Sequence, residues 1–311
     1  MRLALGCMGM SGAYGKTDDA KSTAVILAAI DRGVTFLDTG DFYASGHNEL
    51  LIGKAIAGRR DRVQLSVKFG ALRGPDGGWG GMDARPAAVK NFLTYSLVRL
   101  GTDYVDVYRP ARLDPAVPIE DTVGAIADMV KAGYVRSIGL SEVGPETIRR
   151  AAKVHPIADL QIEYSIATRG PEDAIFPVLA ELGIGATLYG VLSRGLLSAS
   201  PIGAGDARAH MPRFTGANGE ANAKVVAGLQ RLASRWSMTP SQLAIGWVLG
   251  KQPQFVPTLG MRTIQQLEEA LAAKPLTPEQ IAEVEAVAPR DAIAGTRYPA
   301  ALMSTLDSEK R

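Results

Sequence analysis

The sequence predicts an α/β chain folded as one (β/α)8 TIM-type barrel, with long specificity loops and a C-terminal tail, spanning residues 1–311 as a single domain. Short apolar runs of strand length alternate along the chain with longer amphipathic stretches of helical period. Eight such strand and helix units favour a closed parallel barrel over a doubly wound open sheet. Glycines also stop helical patterns just before an apolar run, as at Gly33 and Gly183, where a left-handed C-cap is expected.

In chain order the strands are predicted at 3–7, 34–38, 63–67, 105–108, 135–140, 158–161, 184–188 and 255–257. Helices are predicted at 19–31, 48–57, 86–99, 119–131, 145–154 and 172–181, as two segments within 220–249, and at 264–272 after the last strand. Three stretches are too long for simple connectors: 70–84, 190–219 and the tail after 289. The first two read as lids and specificity walls, and the tail as frayed at its very end, 307–311.

Lys and Arg total 34 against 32 Asp and Glu, so no strong field favours nucleic acid or an anionic membrane. Cys7 is the only cysteine, which excludes an internal disulfide and fits a reducing compartment. The apolar stretch 3–10 is short and broken by glycine, so neither a signal peptide nor a membrane span is expected, and cytoplasmic residence is the default. No His, Cys and Asp set has metal-ligand spacing, and no nucleophile-elbow or phosphate-loop motif is present.

Asp38 and Lys68 each end an apolar run, and Tyr43 follows Asp38 closely. In an α/β barrel the C-terminal edge of the strands is where chemistry sits. Reducing a carbonyl requires a hydride on one face and a proton for the oxygen as negative charge builds there. Tyr43 can give that proton, but a free phenol with a pKa of ~10 is poorly matched to neutral pH. Lys68 can draw it toward phenolate, and Asp38 can offset the burial of Lys68. Singly, the three read more readily as a turn carboxylate, a loop aromatic and a solvated strand end; together they read as a catalytic set.

Around this set, the stretches 5–10, 48–54, 99–106 and 131–141 resemble the aldo-keto reductase family over nearly the whole chain. That resemblance implies an NADP-dependent oxidoreductase, transferring hydride between NADPH/NADP+ and a small aldehyde or ketone or its alcohol, with Tyr43 as general acid and base. It places Cys7 and Met8 at a cofactor-facing turn, Ser141, Glu142 and Gln161 at the nicotinamide carboxamide, and Tyr189 under its ring. Glu142 stands where many members carry Asn, and a carboxylate cannot donate to the carboxamide oxygen. Gly195 and Leu197 match the segment over the pyrophosphate. Gly260, Arg262, Gln266 and Glu269 match the adenosine-phosphate motif, with Arg262 favouring NADPH over NADH. Ala270 stands where the family commonly has an Asn that reads the adenine, which predicts weaker adenine recognition.

The chief departure lies in 108–114, where Ala111 replaces the usual catalytic histidine. A methyl group can neither hydrogen-bond a carbonyl nor orient it. One explanation is a bulkier substrate; another is compensation by Arg109, Arg112 or His47, placed by the resemblance in loops at the same edge. A third is an NADPH-binding regulatory subunit with little turnover. A lyase using Lys68 as a Schiff-base amine is the alternative of a different class. Trp79, Ala111 and Arg112 are the expected substrate contacts. The first strand begins where family members often have a hairpin, which predicts a barrel floor that is open or closed by another segment.

Overall fold

The computed structural model describes residues 3–203 and 206–310. Arg311 and residues 204–205 of the 190–219 loop lie outside the described residues. The strands are β1 Ala4–Gly6, β2 Phe36–Gly40, β3 Gln64–Phe69, β4 Ala71–Arg73, β5 Trp79–Met82, β6 Val105–Pro110, β7 Val135–Ser141, β8 Ile157–Glu163, β9 Gly185–Tyr189 and β10 Val256–Gly260. All except β4 and β5 join in a closed parallel barrel, sealed where β1 pairs with both β2 and β10. Each of the eight strands expected from the sequence is one of its staves.

The helices are α1 Asp19–Asp31, α2 His47–Ile56, α3 Pro86–Leu100, α4 Ile119–Lys131, α5 Pro145–Val154, α6 Pro171–Leu182, α7 Gly216–Arg235, α8 Pro240–Lys251, α9 Ile264–Leu271, α10 Pro278–Val287 and α11 Ala300–Met303. Their ends follow local chemistry. Asp18 caps α1 by accepting from the Lys21 amide, and Gly101 ends α3 with a left-handed φ of 63°.

Three features depart from expectation. The loop 70–84 contains the antiparallel hairpin β4–β5. Helix α10 was not anticipated, although Thr277 and Gln280 form a capping box at its start. The tail is anchored rather than frayed: Asp307 accepts from the Gly144 amide and the Thr147 hydroxyl at the start of α5. At the opposite end of the barrel a depression of about 670 Å³ opens between strand starts, lined by Leu3, Phe36, Gln64 and Asp159 among others.

The barrel interior carries an unusual load of polar groups. Side chains two apart on one strand share a face, so Ser66 and Lys68 of β3, and Asp159 and Gln161 of β8, stack in tiers. In the lower tier the fully buried Arg109 bonds Asp159 at 3.1 Å, the Ser66 hydroxyl at 3.0 Å and the Leu140 carbonyl at 3.2 Å. Gly139 makes the room. A Cβ there would lie 2.9 Å from Arg109 Cζ, Asp159 Oδ1 and Val107 Cγ1 alike. Gly139→Ala is therefore expected to destabilise the barrel by about 1–3 kcal/mol, the usual cost of overpacking, read as a lowered urea midpoint at unchanged slope.

Candidate active site

The C-terminal ends of β2 and β3 bring the expected set together. In the pairing of these strands Asp38 lies opposite Ser66, and Gly40 opposite Lys68. Lys68 Nζ meets Asp38 Oδ2 at 2.6 Å, both side chains being almost wholly buried. The other carboxylate oxygen of Asp38 accepts from the Ser66 hydroxyl at 3.0 Å and the Gln161 amide at 2.8 Å. Burial pulls the Lys68 pKa down while Asp38 supports its charge.

Tyr43 follows β2 on a strained turn. Ala44 and Ser45 both take left-handed φ values, 46° and 51°, before Gly46 at 93°. The Tyr43 ring centroid lies 5.1 Å from Lys68 Nζ. Burial and the Asp38 charge raise its pKa well above the ordinary phenol value, and Arg112 opposes them. The shift runs opposite to the one expected from Lys68, because burial outweighs the neighbouring ammonium. Cys7 is buried behind this edge and its thiol pKa is pushed up by burial; its backbone amide donates to the Asp38 carbonyl at 2.9 Å. Met8 follows it as the first residue of a short turn of 3-10 helix, partly exposed.

The residues matched to the carboxamide end β7, β8 and β9, with Ser141 opposite Gln161. Ser141 Oγ is buried with no hydrogen-bond partner, a free donor and acceptor. Gln161 is engaged by Asp38. Glu142 differs from the contact expected of it. Both its oxygens are met by Arg297, at 2.8 and 2.6 Å, and it also accepts from the Tyr189 hydroxyl at 2.7 Å and the Ser308 hydroxyl at 2.6 Å. Burial works to raise the Glu142 carboxyl, but Arg297, with Arg112 and Ser308, holds it down at about 2. Sequence reasoning missed Arg297, whose only signal is its place in the tail.

The residues matched to the phosphates and adenosine flank a second cavity, of about 300 Å³. The segment 198–201 forms one wall, and Gly260, Met261, Gln266, Glu269 and Ala270 form another. Gly195 turns the chain at φ 90°, where a Cβ would strike Ser200 and Arg208, and Leu197 is buried beneath it. Arg262 donates to the Tyr14 and Lys16 carbonyls, at 2.8 and 2.7 Å, so its guanidinium ties the loop after β1 to this end. Glu269 accepts from the Thr239 hydroxyl.

On the substrate side, Ala111 is buried directly beyond β6, its amide bonded to the Phe69 carbonyl at 2.8 Å. Arg112 follows it, partly accessible. Trp79 sits on β5, 42 % exposed. Two of the proposed compensating groups are elsewhere. Arg109 belongs to β6 and fills the barrel centre, because the strand runs two residues further than expected. His47 opens α2 and bonds Ser11 and Asp19 at the outer surface.

Among the described residues no group of three or more His, Cys, Asp or Glu could hold a metal ion, and no helix is long and apolar enough to cross a membrane. The profile of the Aldo/keto reductase family matches residues 2–289. The chain belongs to this family. It is therefore one of the NAD(P)-dependent oxidoreductases. A probable aldo-keto reductase 1 of Glycine max is 39 % identical over 309 residues, covering 96 % of this chain and 88 % of that protein. The glycerol dehydrogenase of Gluconobacter oxydans superposes with a TM-score of 0.85 at 25 % identity, covering 95 % of this chain and 93 % of that one. An aldo-keto reductase of Klebsiella pneumoniae, solved in complex with NADPH, gives 0.74 at 26 % identity, covering 95 % and 93 %.

One acid beside this reductase site titrates near neutrality. Asp41 is 7 % exposed; burial raises its pKa to about 7, the neighbouring Glu49 carboxyl adding to the shift. A carboxyl whose folded pKa is raised binds its proton more tightly in the folded state. Its contribution to stability is full below the unfolded value and is lost as pH rises through the folded one. Unfolding titrations from about pH 4 to about pH 7 are expected to show falling stability, and Asp41→Asn to lessen that fall, the Glu49 carboxyl, also raised by burial, keeping the rest.

Proposed function

We propose that the chain reduces a small aldehyde or ketone with NADPH, and runs the reverse oxidation of the alcohol, with Tyr43 as general acid and base. The observation that carries this reading is the buried Asp38–Lys68 pair at 2.6 Å, with the Tyr43 ring against the ammonium. NADPH, when bound, supplies the hydride. The residues present fit it: Ser141 Oγ is an orphaned buried hydroxyl, and a cavity lined by Gly260, Met261 and, from the first turn of α9, Gln266 lies along the expected path. The NADP and NADPH complexes of the Klebsiella pneumoniae relatives support the same cofactor.

In this reading Tyr43 gives its proton to the carbonyl oxygen as charge builds there. Lys68 steadies the phenolate left behind, and Asp38 holds Lys68 charged in a dry setting. Ser141 and Gln161 would hold the carboxamide, Tyr189 would meet the nicotinamide ring, and Gly195 and Leu197 would hold the pyrophosphate. Gly260, Gln266 and Glu269 border the adenosine, and Arg262 takes the 2′-phosphate by leaving the Tyr14 and Lys16 carbonyls. Glu142 acts through Arg297 and Tyr189, as a brace for the stacking surface. The glycerol dehydrogenase among the relatives makes short hydroxylated aldehydes and ketones the first compounds to try.

Fluorescence titration with NADPH, then NADPH oxidation against aldehydes, ketones and dicarbonyls, tests this directly. Tyr43→Phe is expected to lose about 10²–10⁴ in turnover, the usual worth of a general acid, with NADPH affinity retained. Tight binding without turnover on any compound would instead favour a regulatory role. Arg262→Ala is expected to weaken NADPH about tenfold or more, the loss of a charge-assisted hydrogen bond, and to leave NADH unchanged in the same titration.

A further inference from the structure

We infer that Arg112 does the work of the absent imidazole: its guanidinium donates to the carbonyl oxygen of the substrate and stabilises the charge that gathers there while Tyr43 delivers the proton. This rests on the carbonyl-reductase reading above. The starting point is Ala111, buried and with nothing on its side chain that can donate. A preorganised donor at a developing oxyanion is worth ~10²–10³ in rate, so its supply from elsewhere matters.

Among the described residues, the cations near the barrel mouth are nearly all committed. Lys68 is held by Asp38, and Arg109 by Asp159 below the site. Arg297 forks onto Glu142 and reaches Glu309. Arg194 lies 4.3 Å over the Tyr298 ring and bonds the Arg297 carbonyl. Arg112 makes one hydrogen bond, from Nη1 to the Ala111 carbonyl at 2.6 Å. A guanidinium has five N–H donors, so Arg112 keeps most of its own for a ligand, in a side chain that is partly accessible.

Its position suits the task. Arg112 follows the end of β6, which pairs with β3 alongside Lys68 and Phe69, and the Ala111 amide is tied to the Phe69 carbonyl at 2.8 Å. The Arg112 charge is accordingly felt at both Tyr43 and Lys68. In the reduction the hydride carries two electrons to the carbonyl carbon and the C=O π bond opens onto oxygen. The Tyr43 O–H bond breaks to protonate that oxygen, and water restores the phenol. Arg112 neither gains nor loses a proton. Unlike an imidazole it stays cationic throughout the working range, so it imposes no ionisation near pH ~6.5 on the rate.

The test compares Arg112→Met, Arg112→Lys and the double variant Ala111→His/Arg112→Met with the full-length wild type. Three readouts are needed: kcat and KM on a carbonyl the wild type turns over, NADPH affinity by fluorescence, and binding of acetate to the NADP+ complex by calorimetry. Acetate presents two anionic oxygens where the alkoxide would form. Arg112→Met is expected to lose about 10²–10³ in kcat and its acetate binding, with NADPH affinity within about twofold on the premise that Arg112 touches substrate alone. Arg112→Lys is expected to keep part of both, which covers failure of the methionine variant to fold. The double variant is expected to recover turnover and to acquire an ionisation near pH ~6.5 that the wild type lacks. Wild-type kcat and acetate affinity in Arg112→Met, a loss confined to NADPH affinity, or no acetate binding by the wild type would each overturn the assignment. Should the wild type turn over nothing, the carbonyl-reductase reading fails, while the acetate titration still decides whether Arg112 holds an oxyanion.

Discussion

Burying the Lys68 ammonium at the end of β3 is the constraint around which the rest of this barrel is arranged. Taking a lone ammonium out of water costs several kcal/mol, and only a well-placed counter-charge with further hydrogen bonds offsets it. Asp38 provides the charge at 2.6 Å, and Ser66 and Gln161 satisfy its other oxygen. Those two are themselves held from below. Arg109 donates to Ser66, while Thr187 stands within reach of Gln161 and donates to Asp159. The column thus contains two cations and two anions, fixed by side chains from β2, β3, β6, β8 and β9. Removing one member strands the charge opposite it, which is why the tiers support one another from floor to mouth.

A second buried centre governs the rim. Glu142 and Arg297 form a bidentate pair between the end of β7 and the C-terminal tail. Arg297 also reaches Glu309, Asp307 anchors the tail to the start of α5, and Tyr189 is tied to the pair through its hydroxyl. The position where many relatives carry an amide is here a carboxylate whose capacity is filled by its own chain. A left-handed φ of 54° at Glu142 is the conformational strain borne to aim it there. The tail is thus a wall of the site.

The staves and most helices were legible because their apolar periods are set by burial, which a linear sequence records. Where β6 ends was not. The run at 105–108 looks complete, yet Arg109 and Pro110 continue it, and a charged residue gives no hint that it fills a barrel centre opposite a glycine. Helix α10 was missed although its capping box and the Ile281, Val284 and Val287 spacing are plain in the residues, because it lies beyond the eight strand and helix units in the stretch read as tail. Asp38, Tyr43 and Lys68 were legible because each stands at a fixed distance from a strand. Arg297 was not, since its partner lies 155 residues away and only the closed fold brings them together.

The methyl at 111 and the posture of Arg112 are best understood as one feature. The Ala111 amide is tied to Phe69, so the chain beyond β6 is fixed at this point. The Arg112 side chain turns back to the Ala111 carbonyl, at 2.6 Å. That bond uses a single N–H and fixes where the planar fork lies, which lowers the entropy lost when a second oxygen is bound. Arg112 thus brings a permanent charge to a rim where the usual titratable donor is missing, and on the proposal above it holds the oxygen as it becomes anionic.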